Sequence, residues 1–297
     1  MIILALTLLG LCLGSFVNAL VWRTHEQENL VLSSKFSVLG KSQKRSSKKI
    51  PDRRTQNPEL SILHGRSMCP SCRHTLAAKD LVPVFSWLWL KGKCRYCNKP
   101  IAGQYPLVEL LTAVLFAVSY IYWPNAGPGT HLTWMLGLWL VMLTGLIALA
   151  VYDFKWYLLP NKIIYPLFAP AVAWVIVSIL DSGDKISFRL SELVFSVAIS
   201  GGIFFLLYQV SSGKWIGGGD VRLGWLLGLI VLTPSRAVLL IFLASLGGSL
   251  LSLPMLLNHK LKKTSIVPFG PFLIAAAIFV VLFGASFLGW YSGQFLL

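Results

Sequence analysis

Long apolar blocks alternate with short polar segments along this chain. Eight such blocks fall at about 1–22, 105–123, 132–152, 162–180, 192–209, 221–232, 236–257 and 268–291, the sixth being short. A helix of about 20 apolar residues crosses a bilayer. The pattern therefore predicts an all-α polytopic membrane protein with about eight transmembrane helices. A sizeable polar stretch, 23–104, separates the first block from the second. The expected organisation is a first transmembrane helix (1–22), a polar segment (23–104) and a seven-helix transmembrane domain (105–297).

Composition agrees with this reading. Of 297 residues, 56% are hydrophobic and 12% charged; a soluble domain carries about 25% charged residues. A soluble globular domain, a disordered chain and a coiled coil are all excluded. The net charge is +15, and its distribution assigns a side to each loop. Of the 26 Lys and Arg residues, 23 lie in segments that the alternating spans put on one side, 16 of them within 23–104. Only Lys185, Arg189 and Arg236 fall on the other side. Such asymmetry marks the basic side as cytoplasmic. The expected protein is thus a multi-pass protein of the cell inner (plasma) membrane, with residues 23–104 cytoplasmic and both termini outside. The excess charge reports topology and attracts anionic lipid; nucleic acid is not an expected partner. The first span has no basic leader segment or small-residue cleavage site, and Arg23 follows it, so it reads as a retained helix. Cys12 follows bulky Leu11 and is expected to be a buried, inert small residue.

The polar block has two parts. Residues 24–66 are rich in Lys, Ser, Arg and Gln, and the run from Lys41 to Arg54 reads as a solvated loop. Beyond it stand two CxxC knuckles, Cys69-Pro-Ser-Cys72 and Cys94-Arg-Tyr-Cys97. Each tight turn offers two thiolates, and two turns complete a tetrahedral shell for structural zinc. Disulfides or free thiols are the alternative; a cytoplasmic placement disfavours disulfides. His64 and His74 lie nearby and are not needed as ligands.

Acidic residues at membrane depth are costly and tend to carry function. Asp153 closes the third span, and Asp220 follows Gly217-Gly218-Gly219 at the start of the sixth. The topology puts both at cytoplasmic helix ends. Two carboxylates near one water can divide the work of general base and general acid, and the glycines let a substrate backbone approach. Taken singly, each Asp reads better as an interfacial helix cap, Asp220 as an N-cap; it is the pair that points to catalysis. Glu109 reads equally as a substrate or cofactor ligand and as a buried carboxylate paired with Arg or Tyr.

Six motifs follow one another in a specific order: Gly14-Ser15-Phe16-Val17-Asn18 with Arg23, the two CxxC knuckles, Tyr105-Pro106-Leu107-Val108-Glu109, Asp153 with Leu159-Pro160-Asn161, Gly217-x-Gly219-Asp220, and Pro268-Phe269-Gly270-Pro271-Phe272. In this the chain resembles the type IV prepilin peptidases, bifunctional leader peptidases and N-methyltransferases of pilus and type II secretion systems. The resemblance covers nearly the whole chain except the basic insert at about 24–60. It implies an aspartic endopeptidase of the GxGD type, with Asp153 and Asp220 as the catalytic pair. The implied substrate is a prepilin or pseudopilin, cut after a Gly on the cytoplasmic side. The new N-terminal residue would then be methylated with S-adenosylmethionine as donor. It also implies zinc on Cys69, Cys72, Cys94 and Cys97, and substrate or cofactor contacts from Glu109, Asn18, Arg23, Gly217 and Gly219. Asn18 and Arg23 could instead anchor the first span, and for Arg23 the anchor is the favoured reading.

Two positions depart from the family pattern. Gln104 stands where Arg is common, and Arg222 where Lys is usual. Arg222 keeps the charge; Gln104 loses one that could pair with a carboxylate or a cofactor, which bears on methyl transfer more than on cleavage. A peptidase without methyl transfer and a non-enzymatic membrane scaffold recruiting partners through a zinc ribbon are the competing readings.

Overall fold

Helix follows helix through the computed structural model, which describes residues 1–40, 67–123, 131–181, 183–257 and 268–295. In order these are α1 (Ile2–Gly40), α2 (Phe85–Trp89), α3 (Gln104–Ile121), α4 (His131–Trp156), α5 (Asn161–Asp181), α6 (Ile186–Val197), α7 (Ile203–Ser211), α8 (Gly218–Val231), α9 (Pro234–Leu257) and α10 (Gly270–Phe295). Only two isolated antiparallel bridges, Met68–Thr75 and Lys93–Pro100, represent β structure among the described residues. A chain whose backbone must satisfy its own polar groups in lipid has little alternative.

Seven described helices are long and apolar enough to cross a membrane, and the chain is a multi-pass membrane protein. The remaining expected span, the short sixth block, is α8, which has 14 residues and is about 21 Å long. It is short because it is a core element: Val221, Leu223, Leu226, Leu227, Ile230 and Val231 are all buried. At the N-terminus, α1 continues to Gly40, past the point where a loop was expected. Residues 24–39 contain neither Gly nor Pro, so nothing local stops the helix. The basic run from Lys41 to Arg54, and His64, lie outside the described residues. Cys12, expected to be buried, is exposed; an apolar thiol on a lipid-facing helix surface carries no desolvation cost.

The chain divides into two units. The larger comprises Met1–Thr7 and Val114–Leu297. Its core holds Trp139, Met142, Leu143, Leu146, Leu149 and Tyr152 of α4, each fully buried. Two indole N–H groups find partners there: Trp139 Nε1 donates to Ser119 Oγ (3.0 Å) and Trp174 Nε1 to the Ile230 carbonyl (3.1 Å). Helices α6 and α7 are joined through a π-helical turn, Ala198–Gly202. Against it lie two glycines of α8. A Cβ at Gly224 would meet the Ser200 carbonyl oxygen at 2.5 Å, and one at Gly228 would meet Val197 Cα at 2.7 Å. Small residues four apart permit such close helix contact, and Ser196 Oγ, donating to the Gly228 carbonyl at 2.9 Å, fixes it. Asp220 precedes Gly224 by one turn, so this packing sets its position.

The smaller unit is Leu8–Ala113. Here Gly10 and Gly14 of α1 repeat the small-residue device against α3. Added Cβ atoms would meet Ala113 Cα at 2.7 Å and Glu109 Cα at 2.6 Å.

Candidate functional site

Helix α4 ends one turn beyond Asp153, where Tyr157 takes a left-handed conformation (φ 58°) and its N–H closes on the Asp153 carbonyl at 2.8 Å. The chain then turns through Leu158-Leu159-Pro160 into α5. Asp153 is only 4% exposed. Its Oδ2 accepts the backbone N–H of Gly270 at 3.1 Å, at the first residue of α10, where N–H groups have no helical partner. A carboxylate is the natural acceptor at that end.

Asp220 sits in the first turn of α8. The N-cap is Gly217, in an extended conformation (φ −73°, ψ 147°). Asp220 is therefore three residues inside the helix, with its N–H on the Gly217 carbonyl at 3.1 Å; the N-cap expectation is corrected. Its charge interacts with that of Asp153. Leu159 joins the two segments. A Cβ on Gly219 would fall 2.9 Å from Leu159 Cβ, and one on Gly270 would fall 3.5 Å from Leu159 Cδ1 and 2.5 Å from Asp153 Oδ2. Gly219 and Gly270 thus have no Cβ because Leu159 and the Asp153 carboxylate occupy the space. A Cβ on Gly217 would meet Asp220 Oδ2 only at 3.4 Å, an ordinary contact. A second tie is polar: Arg222 Nη1 donates to Asn161 Oδ1. The aspartate motifs of α4, α8 and α10 therefore converge at one end of the larger unit.

The smaller unit holds the other sequence-predicted residues. Its two knuckles have the same construction. The Arg73 N–H donates to the Cys69 carbonyl and the Cys69 N–H to the His74 carbonyl (2.9 and 3.0 Å). Asn98, Cys94 and Lys99 repeat this at 2.9 Å for each bond. Arg73 and Asn98, each four residues after the first Cys of its knuckle, both have positive φ (57° and 55°). The four sulfur atoms lie within 4.8 Å of one another, with Cys69 and Cys97 Sγ 3.9 Å apart. Zn–S bonds of about 2.3 Å in a tetrahedron place sulfurs about 3.8 Å apart, so the cluster fits zinc.

The thiols are electrostatically distinct. Burial opposes ionisation of Cys69, but the N–H groups of Cys72 and Ser71 and the neighbouring Cys94 and Cys72 thiols outweigh it and lower it to about 7. The Lys99 N–H favours the Cys97 thiolate, yet desolvation and the three other thiols push it up to about 11. One anion in a crowded set suppresses the next; a cation relieves that conflict. His74 stacks on Tyr96, ring centroids 3.8 Å apart.

Next to the knuckles is a cavity of about 140 Å³ whose walls include Asn18, Arg23, Trp22, Tyr105, Trp87 and Glu109. Asn18 Nδ2 donates to the Tyr105 carbonyl at 3.0 Å, which links the GSFxN and YPxxE motifs. Glu109, 8% exposed, accepts the Val84 N–H at 2.7 Å and a hydrogen bond from Ser15. Its partners are thus a backbone N–H and a serine rather than Arg or Tyr. Arg23 is buried. Asp80 also faces this cavity. Its burial is offset by hydrogen bonds from Arg95 (2.7 Å), the Ala77 N–H and Tyr96, which together hold the carboxyl below its usual range.

Gly270, Leu159, Asn161 and Ser15 have positional roles that the sequence reading did not assign. Each stands inside a motif quoted from the sequence, so the signal was present; which partner each meets depends on segments far apart in the chain.

Two family profiles match. One, described as the bacterial peptidase A24 N-terminal domain, covers residues 8–123; the other, the type IV leader peptidase family, covers residues 140–253. The chain is 30% identical over 293 residues to the prepilin leader peptidase/N-methyltransferase of Aeromonas hydrophila, covering 97% of this chain and 93% of that protein. The protein of the same name from Bacillus subtilis (strain 168) is 34% identical over 233 residues, covering 78% and 87%. That of Pseudomonas aeruginosa is 30% identical over 298 aligned positions, covering 95% and 90%. No solved structure matches.

Proposed function

The chain belongs to the type IV leader peptidase family, and on that premise we propose that it is a membrane aspartic endopeptidase. It removes the basic leader of type IV prepilins or pseudopilins after Gly and methylates the new N-terminal residue. The observation that carries this reading is the convergence of the Asp153 and Asp220 segments at one end of the larger unit, where Leu159 packs against Gly219 and Gly270 and the Gly270 N–H bonds Asp153. Two carboxylates so placed share a proton. The ionised one takes a proton from water as it attacks the scissile carbonyl, and the protonated one donates to the leaving amine. The Gly270 N–H holds Asp153 in place. Gly217 leaves the approach to Asp220 open for an extended substrate, while Gly219 makes room for Leu159. The substrate's apolar segment lies in the bilayer beside the helices, and its basic leader reaches the cytoplasmic face of the inner membrane. The termini lie outside, as the distribution of basic residues supports.

Cys69, Cys72, Cys94 and Cys97 hold a structural zinc ion, which would supply folding energy to a small segment without a large core. S-adenosylmethionine supplies the activated methyl group. The cavity fits part of such a ligand: it sets the Glu109 carboxylate and Asn18 among the aromatic walls of Trp22, Trp87 and Tyr105. Glu109 would accept hydrogen bonds from the ligand's donor groups there, and Arg23 would face its carboxylate. Gln104 is the first residue of α3, outside the cavity wall, so the departure there does not alter the wall.

The test is mass spectrometry of the products formed from a prepilin-like substrate by the purified chain in lipid. Cleavage after Gly with a gain of about 14 Da, the net mass of one methylation, in the presence of S-adenosylmethionine is the expected result. Cleavage without the increment leaves a peptidase alone. Absence of cleavage by folded protein favours the scaffold reading.

A further inference from the structure

Between the two knuckles the chain exposes an apolar surface that cleavage and methyl transfer do not use. Val82, Phe85, Leu88 and Trp89 are 45%, 67%, 58% and 85% exposed. Phe85, Leu88 and Trp89 are spaced i, i+3, i+4 on α2 and so share one face. The other face points inward: Ser86, Trp87 and Leu90 wall the cavity, and Trp87 Nε1 donates to the Ile101 carbonyl at 3.1 Å. The segment is an amphipathic turn with its apolar side outward.

Its depth is fixed. The Val84 N–H donates to Glu109 at 2.7 Å. Glu109 is five residues into α3, a helix long and apolar enough to span a membrane from Gln104. At 1.5 Å per residue this is about 7.5 Å along the helix. Interfacial amphipathic segments bury their apolar side about 5–10 Å into the boundary between headgroups and acyl chains. The surrounding charge has one sign. Lys79, Lys91, Lys93 and Lys99 are exposed, while Asp80, the sole acidic residue between positions 79 and 100, is 3% exposed and held by Arg95.

We propose that Val82–Leu90 is an interfacial anchor, with Phe85, Leu88 and Trp89 inserted into the leaflet where α3 begins and the flanking lysines on anionic lipid phosphates. Tryptophan and phenylalanine favour that depth, and lysines reach the headgroups from it. The anchor attaches the four-cysteine segment to the bilayer. Because its inner face is a cavity wall, it holds that cavity at the membrane surface.

An environment-sensitive fluorescent amino acid placed at position 89 of the full chain, in nanodiscs, tests this. A second label at position 85 covers the case in which the first disturbs folding, and one at Arg73, which is 60% exposed, serves as the aqueous control. Lipids brominated near the headgroup are expected to quench positions 89 and 85, with blue-shifted emission, while aqueous iodide quenches position 73 alone. Iodide quenching at 89 and 85 without bromolipid quenching would overturn the proposal and leave the surface for a protein partner or a second copy. Charge reversal in K91E/K93E is expected to weaken bromolipid quenching in phosphatidylglycerol-containing discs and not in pure phosphatidylcholine. No change in either would overturn the assignment of the lysines to lipid phosphates.

Discussion

Replacing Gly270 by Ala isolates the placement of Asp153. The new Cβ would fall 2.5 Å from Asp153 Oδ2, whereas ordinary contact begins near 3.4 Å, so the carboxylate must retreat by about 0.9 Å. It would also lose or lengthen the 3.1 Å bond from the Gly270 N–H. A hydrogen bond to a charged group contributes about 1.5–3 kcal/mol, and misplacing a catalytic group by 1 Å costs about 10²-fold. Ala in α10 offsets at most about 1 kcal/mol of that loss, so the melting temperature must separate lost stability from lost positioning. Gly289→Ala, in the same helix and with nothing within 4 Å of the added Cβ, is the matched control. The assay is the initial rate of cleavage of a prepilin-like substrate in lipid, with the melting temperature recorded for each variant. The expected result is a fall of about 10²-fold for G270A, beyond what its lowered melting temperature explains because the variant stays folded at the assay temperature, and little change for G289A. If G270A stays within about threefold of the parent, a difference below about 1 kcal/mol, the Gly270 contact does not position Asp153 for catalysis.

Three further outcomes are expected. Asn161→Ala and Arg222→Ala should be non-additive in cleavage rate, with a coupling of about 0.5–1 kcal/mol in a double-mutant cycle, because the two side chains bond each other; additivity would remove that tie. Elemental analysis should find one zinc per chain, lost in C69S/C94S together with protection of residues 67–100 from limited proteolysis, while cleavage survives better than methylation. Asp80 lies below its usual range when folded, so its contribution to the four-cysteine segment is present at neutral pH and is lost as pH falls from about 4 through the lower folded value. Asp80→Asn should therefore lower thermal stability at pH 7, and the gap from the parent should close in acid; a gap independent of pH would contradict the carboxylate's role.

Much of the architecture is legible in the sequence because a bilayer imposes length on its helices. The seven long helices match the apolar blocks to within a few residues at most ends, and the two knuckles declare themselves by spacing. The main differences have physical causes. Helix α8, the sixth block, has 14 residues against 24 in α9; its shortness was legible, but its burial among the other helices was not, because hydropathy alone does not distinguish a core helix from a lipid-facing span. Helix α1 runs on through residues 23–40 because polarity marks the end of a membrane span and not of a helix. At the site, scarcity of acidic residues singled out Asp153 and Asp220, and their shared end of the bundle follows from counting spans. Leu159 between two glycines, the Gly270 N–H on Asp153 and the Val84 N–H on Glu109 were not legible. Each joins segments far apart in the chain through backbone atoms or shape, for which a residue's identity gives no signal.

The central claim, that Asp153 and Asp220 act as one catalytic pair, is tested most directly by cleavage of a prepilin-like substrate with D153N, D220N and the double variant, each shown to be folded in lipid. Asparagine keeps the size of each side chain and removes its acid–base function, which contributes about 10²–10⁴-fold. The account predicts that either single change abolishes most activity and that the double variant is scarcely worse, since members of one catalytic unit are non-additive. Cleavage by both single variants at the parent rate would contradict it.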